Sequence, residues 1–221
     1  MTEAREELPE TLSPDELGAF AARMAGEDRL DEGNALVRKM ALASDYHAVA
    51  SRWTPQVRAH GRPDLEMKWH KEAVARGIDA YAIVRATEAA WLSEGTEEAT
   101  RISDVFVGRL DDLPFRHNGD LFHRRQILLM LNDYKRLFRY EELGGAPAND
   151  RRPVHPGVLA GLYDAIWHAQ RVGDAVTAHL RIELYAQLAP DQGETVHHLV
   201  RTIVEPNGDH ALAEALRTGT G

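Results

Sequence analysis

Along this chain, apolar residues recur at spacings of three and four, the period that gathers them on one face of an α-helix. Ser13-Pro14-Asp15-Glu16 joins an N-cap serine, a proline at the first helical position and a glutamate at the third. It predicts a helix running through Leu17, Phe20, Ala21 and Met24 as far as Gly26. Asn34 opens a second helix, with Leu36, Val37, Met40 and Ala41 on one face. Pro55 and the Gly61-Arg62-Pro63 turn then break the pattern. Asp64 caps a segment over 65–75 that Gly77 ends, and helices follow over 79–92 and 96–110.

A long helix over 118–142 draws its stripe from Leu121, Ile127, Leu128, Leu131, Leu137 and Phe138. The stretch 144–157, with three prolines and two adjacent glycines, is expected to be a functional loop. Leu159, Leu162, Ile166 and Ala169 mark a helix stopping at Gly173. Asp174 caps its antiparallel partner, which carries Val176, Leu180, Leu184 and Leu188 and ends at Pro190. Short helices near 195–204 and 209–217 complete the chain. No segment reads as a sheet, and no fixed-period repeat is present. The expected fold class is all-α, an antiparallel helical bundle of roughly eight to ten helices.

Composition narrows the functional classes. With 221 residues, 43% hydrophobic, the chain can bury one sizeable core or a small domain on a larger one. The expected division is an N-terminal helical segment, 1–77, and a ligand-binding helical domain, 78–221. No apolar run is long enough to span a bilayer. The start, MTEAREELPE, is acidic and unlike a secretory signal, so the expected location is cytoplasmic. Cysteine is absent, which removes disulfides, thiolate nucleophiles and sulfur ligands. A net charge of −9 makes nucleic acid a poor partner. One basic cluster (Arg116, Arg124, Arg125, Lys135, Arg136, Arg139, Arg151 and Arg152) is interleaved with acids and reads as a mixed face or a small anion site.

From Phe122-His123, then eight residues to Asn132, and on through Ala165-Ile166, Ala169, Gly173-Asp174-Ala175 and Ala178, the pattern resembles one family. It is similar to the FCD domain, the helical effector-binding half of FadR-type GntR regulators, over about the last 100 residues. The resemblance implies a pocket between helices, a small-molecule ligand and a homodimer. Metal-binding members place an Asp four residues before the helix histidine and histidines on two later helices. Here His123 matches the first histidine, but the Asp position is Gly119, with Asp120 one place late, and the later positions are Tyr163 and Tyr185. The implied wall is therefore His123, Tyr163 and Tyr185, with Arg181 one turn before Tyr185, suited to an anionic or phenolic ligand. Arg85, Asn132 and Trp167 complete the candidate ligand-binding set. The family's winged-helix domain has a faint echo in residues 51–58, but no wing follows and prolines interrupt the helix.

Acid–histidine pairs offer separate chemistry. Glu66 with His70, Asp120 with His123, and Asp164 with His168 each share a helix face, and such pairs on facing helices can hold iron, manganese or zinc. The alternative for each is a surface ion pair. His155, in the 144–157 loop, is a candidate acid or base near neutral pH. No Gly-rich phosphate loop, Gly-x-Ser-x-Gly elbow or His-Glu-x-x-His motif occurs. The expectation is a small-molecule-binding protein, leaning to an enzyme that uses acid–base or metal-assisted chemistry through His123, Tyr163, Tyr185 and His155. A regulator with a degenerate DNA-binding region and a non-catalytic interaction module are the alternatives.

Overall fold

The computed structural model describes residues 7–113, 120–145 and 152–219, and among these it is all-helical with no strand. After a short 3-10 turn at Pro14–Glu16, the helices are α1 (Leu17–Gly26), α2 (Leu30–Ala43), α3 (Tyr46–Ala59), α4 (Asp64–Ala75), α5 (Ala82–Glu94) and α6 (Thr96–Val107). Another 3-10 turn, Leu110–Asp112, precedes α7 (Asp120–Glu142), α8 (Pro156–Arg171) and α9 (Ala175–Leu188). The chain ends in α10 (Gly193–Leu199), a π-helical turn over Val200–Val204, and α11 (His210–Gly219). No described helix is long and apolar enough to cross a membrane.

The local signals act as their chemistry requires. The Glu16 carboxylate reaches back 2.7 Å to the Ser13 N–H, and the Asp174 side chain accepts the Thr177 N–H at 3.0 Å to start α9. Gly173, at φ 80°, lets the chain reverse between α8 and α9 in a conformation a side chain would resist.

α3 departs from expectation, because Pro55 lies inside it rather than ending it. Its N-terminus is capped by Asp45, which accepts the Ala48 N–H at 3.2 Å. Val49, Ala50, Trp53 and Val57 anchor one face in the core. The proline removes the hydrogen bond to residue 51, and Ser51 is exposed, so water can satisfy the carbonyl left over. Burial of the apolar face outweighs one lost hydrogen bond.

α5 is the central helix. Ala82, Ile83, Val84, Ala86, Ala89, Ala90 and Trp91 are all buried, and it packs most closely against α4 and α6. A helix apolar on nearly every side belongs in the middle of a core, and its alanines let both neighbours approach. One contiguous core runs from Leu17 to Leu216, so α4 and α5, on either side of the expected boundary at 77/78, face each other across it.

On α8, Gly161 lies against the buried Tyr134 of α7. A Cβ at 161 would fall far inside contact distance of the Tyr134 hydroxyl and close to Glu88. Because that hydroxyl is tied to Glu88 at 2.6 Å, it has little freedom to yield. Gly161→Ala is therefore expected to destabilise by about 1–3 kcal/mol, seen as a Tm lowered by several degrees. Pairing it with Tyr134→Phe, which removes the clashing oxygen, is expected to return part of the loss.

Candidate functional site

The polar heart of the molecule is Arg58, at the end of α3 and almost wholly buried. Its Nε donates to Glu66 Oε1 of α4 at 2.6 Å and its Nη2 to Glu88 Oε2 of α5 at 3.1 Å. Nη1 lies 3.6 Å from Asp164 Oδ2 of α8. Tyr134 of α7 donates to the other Glu88 oxygen at 2.6 Å. Arg171 of α8 donates to the Arg58 carbonyl at 2.7 Å. One guanidinium thus ties together four helices, and Tyr134 on Glu88 joins α7 to them as a fifth.

A second branch leaves Glu66. Its Oε2 lies 3.2 Å from His70 Nε2, and His70 Nδ1 takes the Tyr46 hydroxyl in a short hydrogen bond. The network is satisfied by the neutral tautomer with the proton on Nε2: Tyr46 donates to Nδ1, and Nε2–H donates to Glu66. Trp69 stacks on the imidazole at 5.1 Å. Burial lowers the His70 pKa, more than Glu66 raises it. Burial disfavours the Glu66 carboxylate, but Arg58 and His70 more than compensate and hold its pKa below the usual range. Tyr46, His70 and Glu66 resemble a nucleophile relay in order, yet all are sealed from solvent, so no substrate reaches them.

Two of the three expected acid–histidine pairs do converge, since Glu66 and Asp164 both face Arg58. Among the described residues no group of three or more metal-ligating side chains is arranged to hold an ion. Both Glu66 oxygens and both His70 nitrogens are already bonded. The Asp120 side chain lies outside the described residues, as do Gly119 and residues 146–151 of the 144–157 stretch.

The remaining candidates are distributed over several places. His123 Nδ1 lies 3.1 Å from the hydroxyl of Tyr81, just before α5. Tyr163 and Tyr185 are ring neighbours at 6.4 Å across the α8–α9 hairpin, and Trp167 packs beside Tyr163 at 6.2 Å. Tyr185 donates to Gln192 at 2.5 Å, and burial raises its pKa. Asn132 is exposed on α7. Arg85 bonds Asp79 at 3.0 Å and His47 at 2.8 Å. His155 is the N-cap of α8: Nδ1 accepts the Gly157 N–H at 3.1 Å and Nε2 lies 2.6 Å from Gln126 Oε1. Both ring nitrogens are engaged, and His155 caps α8.

Arg181 and His168 do meet, in a cleft of about 450 Å³. Its walls are Leu92, Gly95 and Thr96 at the α5–α6 turn, Glu141 and Glu142 at the end of α7, His168, Ala169 and Val172 of α8 and its end, and Asp174, Thr177 and Arg181 of α9 and its cap. Arg181 donates through Nε to Glu141 at 3.0 Å and through Nη1 to the Ala165 carbonyl at 3.2 Å, with its plane 4.8 Å over Trp91. Trp91 donates to the other Glu141 oxygen at 2.7 Å. His168 is 9% exposed, and its Nδ1 has no hydrogen-bond partner. Burial lowers its pKa, and Arg171, Arg181 and Arg58 add to the effect, so the ring is neutral at physiological pH.

Sequence reasoning passed over Arg58, Glu88, Tyr46 and Tyr134. A signal for two of them was present. Arg58 falls four residues after Thr54 and eight after Ala50, and Glu88 four after Val84 and three before Trp91, on faces the apolar period assigns to the core. A charge at such a position demands a partner.

Arg58→Met is expected to cost about 3–5 kcal/mol in chemical denaturation at neutral pH, because it strands Glu66 and Glu88 without their cation. The gap to the unsubstituted protein is expected to narrow as acid protonates those carboxylates. In the unsubstituted protein, His70 and His168 are neutral in the fold but titrate near 6.5 when unfolded. Stability is thus expected to fall as pH drops below about 6.5, with a further loss as Glu66 is forced to protonate. Asp164, raised by burial, works in the opposite direction. Denaturation midpoints at pH 7.5, 6 and 5 check the sign, and a flat or rising profile would refute it. No family model matches the chain, and searches of curated proteins and of solved structures find no match.

Proposed function

We propose that the protein binds a small polar organic molecule in the cleft between the α8–α9 hairpin, the end of α7 and the α5–α6 turn. The observation that carries this reading is the cleft itself, about 450 Å³ and lined by an Arg181–Glu141 pair and a buried neutral histidine. That volume falls within the usual range of small-molecule sites, and a few convergent polar groups on a partly apolar wall are their usual furnishing. Neutral His168 is the group placed to exchange a proton with an occupant, which supports acid–base chemistry as the accompanying activity.

Val172, 58% exposed at the rim, allows the cleft to be blocked without disturbing the core. Val172→Trp is expected to leave the helical circular dichroism and Tm within experimental error. In an NMR fragment screen, ligands that shift the amides of Gly95, Thr96, Asp174 and Thr177 in the unsubstituted protein are expected to lose at least about tenfold in affinity for the variant. Fragments that bind only elsewhere, or bind both proteins equally, would remove the cleft as the site.

A further inference from the structure

The charges lining the cleft indicate the class of occupant, an inference that rests on the binding reading above. Three carboxylates and one guanidinium face it. Glu141 is fully committed, one oxygen to Arg181 and the other to the Trp91 indole. Glu142 accepts from the Thr96 hydroxyl through Oε1 at 3.1 Å, and Asp174 accepts the Thr177 N–H through Oδ1. Asp174 also accepts from the Thr177 side chain, and among the described residues neither Glu142 nor Asp174 forms a salt bridge.

The formal sum over these side chains is three negatives and one positive, or −2. The N-termini of α6 and α9 offset that by roughly half a charge each, but the C-terminal ends of α5, α7 and α8 add a similar negative partial charge each, so the cleft stays net negative. A carboxylate or phosphate entering the cleft would meet like charge, while Arg181, the one cation among the described residues that line it, is already neutralised by Glu141. An ammonium or guanidinium would meet two carboxylates, Glu142 and Asp174, that no described cation pairs. His168, more than nine-tenths buried on the same wall with Nδ1 unpartnered, adds a neutral imidazole instead of a competing positive charge. Leu92, Ala169 and Val172 give the cleft an apolar strip beside its acids. An occupant matched to both parts has a cationic head and a short hydrocarbon body.

We propose that the cleft takes a small organic cation, a primary amine or guanidinium on a short aliphatic chain. Its N–H groups donate to Glu142 and Asp174, and its methylenes lie against Leu92, Ala169 and Val172.

The test uses the full chain, 15N-labelled, titrated separately with n-butylammonium, n-butanol and butanoate at fixed ionic strength and pH 7.5. The expected result is saturable shifts of the Gly95, Thr96, Asp174 and Thr177 amides with butylammonium, at an affinity at least about tenfold above either other probe. The double variant Glu142→Gln, Asp174→Asn keeps the acceptors for Thr96 and for the α9 cap, since asparagine caps as well as aspartate. It is expected to lose that tenfold preference while retaining the Tm. Butanoate or butanol binding the same amides as tightly would overturn the cationic class and leave the cleft as a binding site. Equal binding of butylammonium by the double variant would also overturn it. Silence of these amides toward all three probes would overturn the class and the site together.

Discussion

A guanidinium removed from water must be surrounded by charge and hydrogen-bond acceptors, or the fold that buries it does not form. Arg58 sets that requirement here. The loss of its hydration costs several kcal/mol, and only acceptors brought by different helices can offset it. Glu66, Glu88 and Asp164 supply them from α4, α5 and α8, while Tyr134 of α7 braces Glu88 from behind. Apolar contacts alone would tolerate many slightly shifted helix packings. A fork of donors with fixed directions tolerates few, so the positions of five helices follow from the needs of one side chain.

The cleft inherits its geometry from that hub. Asp164, facing Arg58, is one turn before His168 on α8, and Glu88 is one turn before Trp91 and Leu92 on α5. Fixing one turn of each helix at the hub fixes the next turn at the cleft. Trp91 carries the connection further, holding Glu141 with its indole and lying against Arg181 with its face. The polar wall is therefore held in place by the fold itself, which would reduce the ordering that the proposed occupant has to impose.

Much of the fold was legible in the sequence because its signals are local. Ser13-Pro14, Gly77, Gly173 and Asp174 each act within a turn of where they stand, and the apolar periods located most of the helices. α3 was lost because Pro55 is a local breaking signal, whereas the burial of Val49, Trp53 and Val57 that overrides it is tertiary. The site was less legible for the same reason. Spacing showed that Glu66 and His70 share a face, but not that Arg58 bonds Glu66. The family resemblance, not spacing, grouped His123 with Tyr163 and Tyr185; the rings of the two tyrosines do meet, while His123 lies against Tyr81. The cleft is assembled from three separate stretches of chain, near 92–96, 141–142 and 168–181, and no pattern within one stretch announces the other two.

The reach of Arg58 along the chain also sets an order of assembly. Its contacts with Glu66 and Glu88 close short loops, but its carbonyl is held by Arg171, 113 residues away. During synthesis, α3, α4 and α5 can collapse on one another while the later helices are still unmade. In that interval Glu88 lacks Tyr134, and the carbonyl of Arg58 lacks its donor. Contacts this distant in sequence form late and slowly, because the intervening chain must first be ordered. The docking of α8 is thus the step that gives Arg58 its last partners, Asp164 for the guanidinium and Arg171 for the carbonyl.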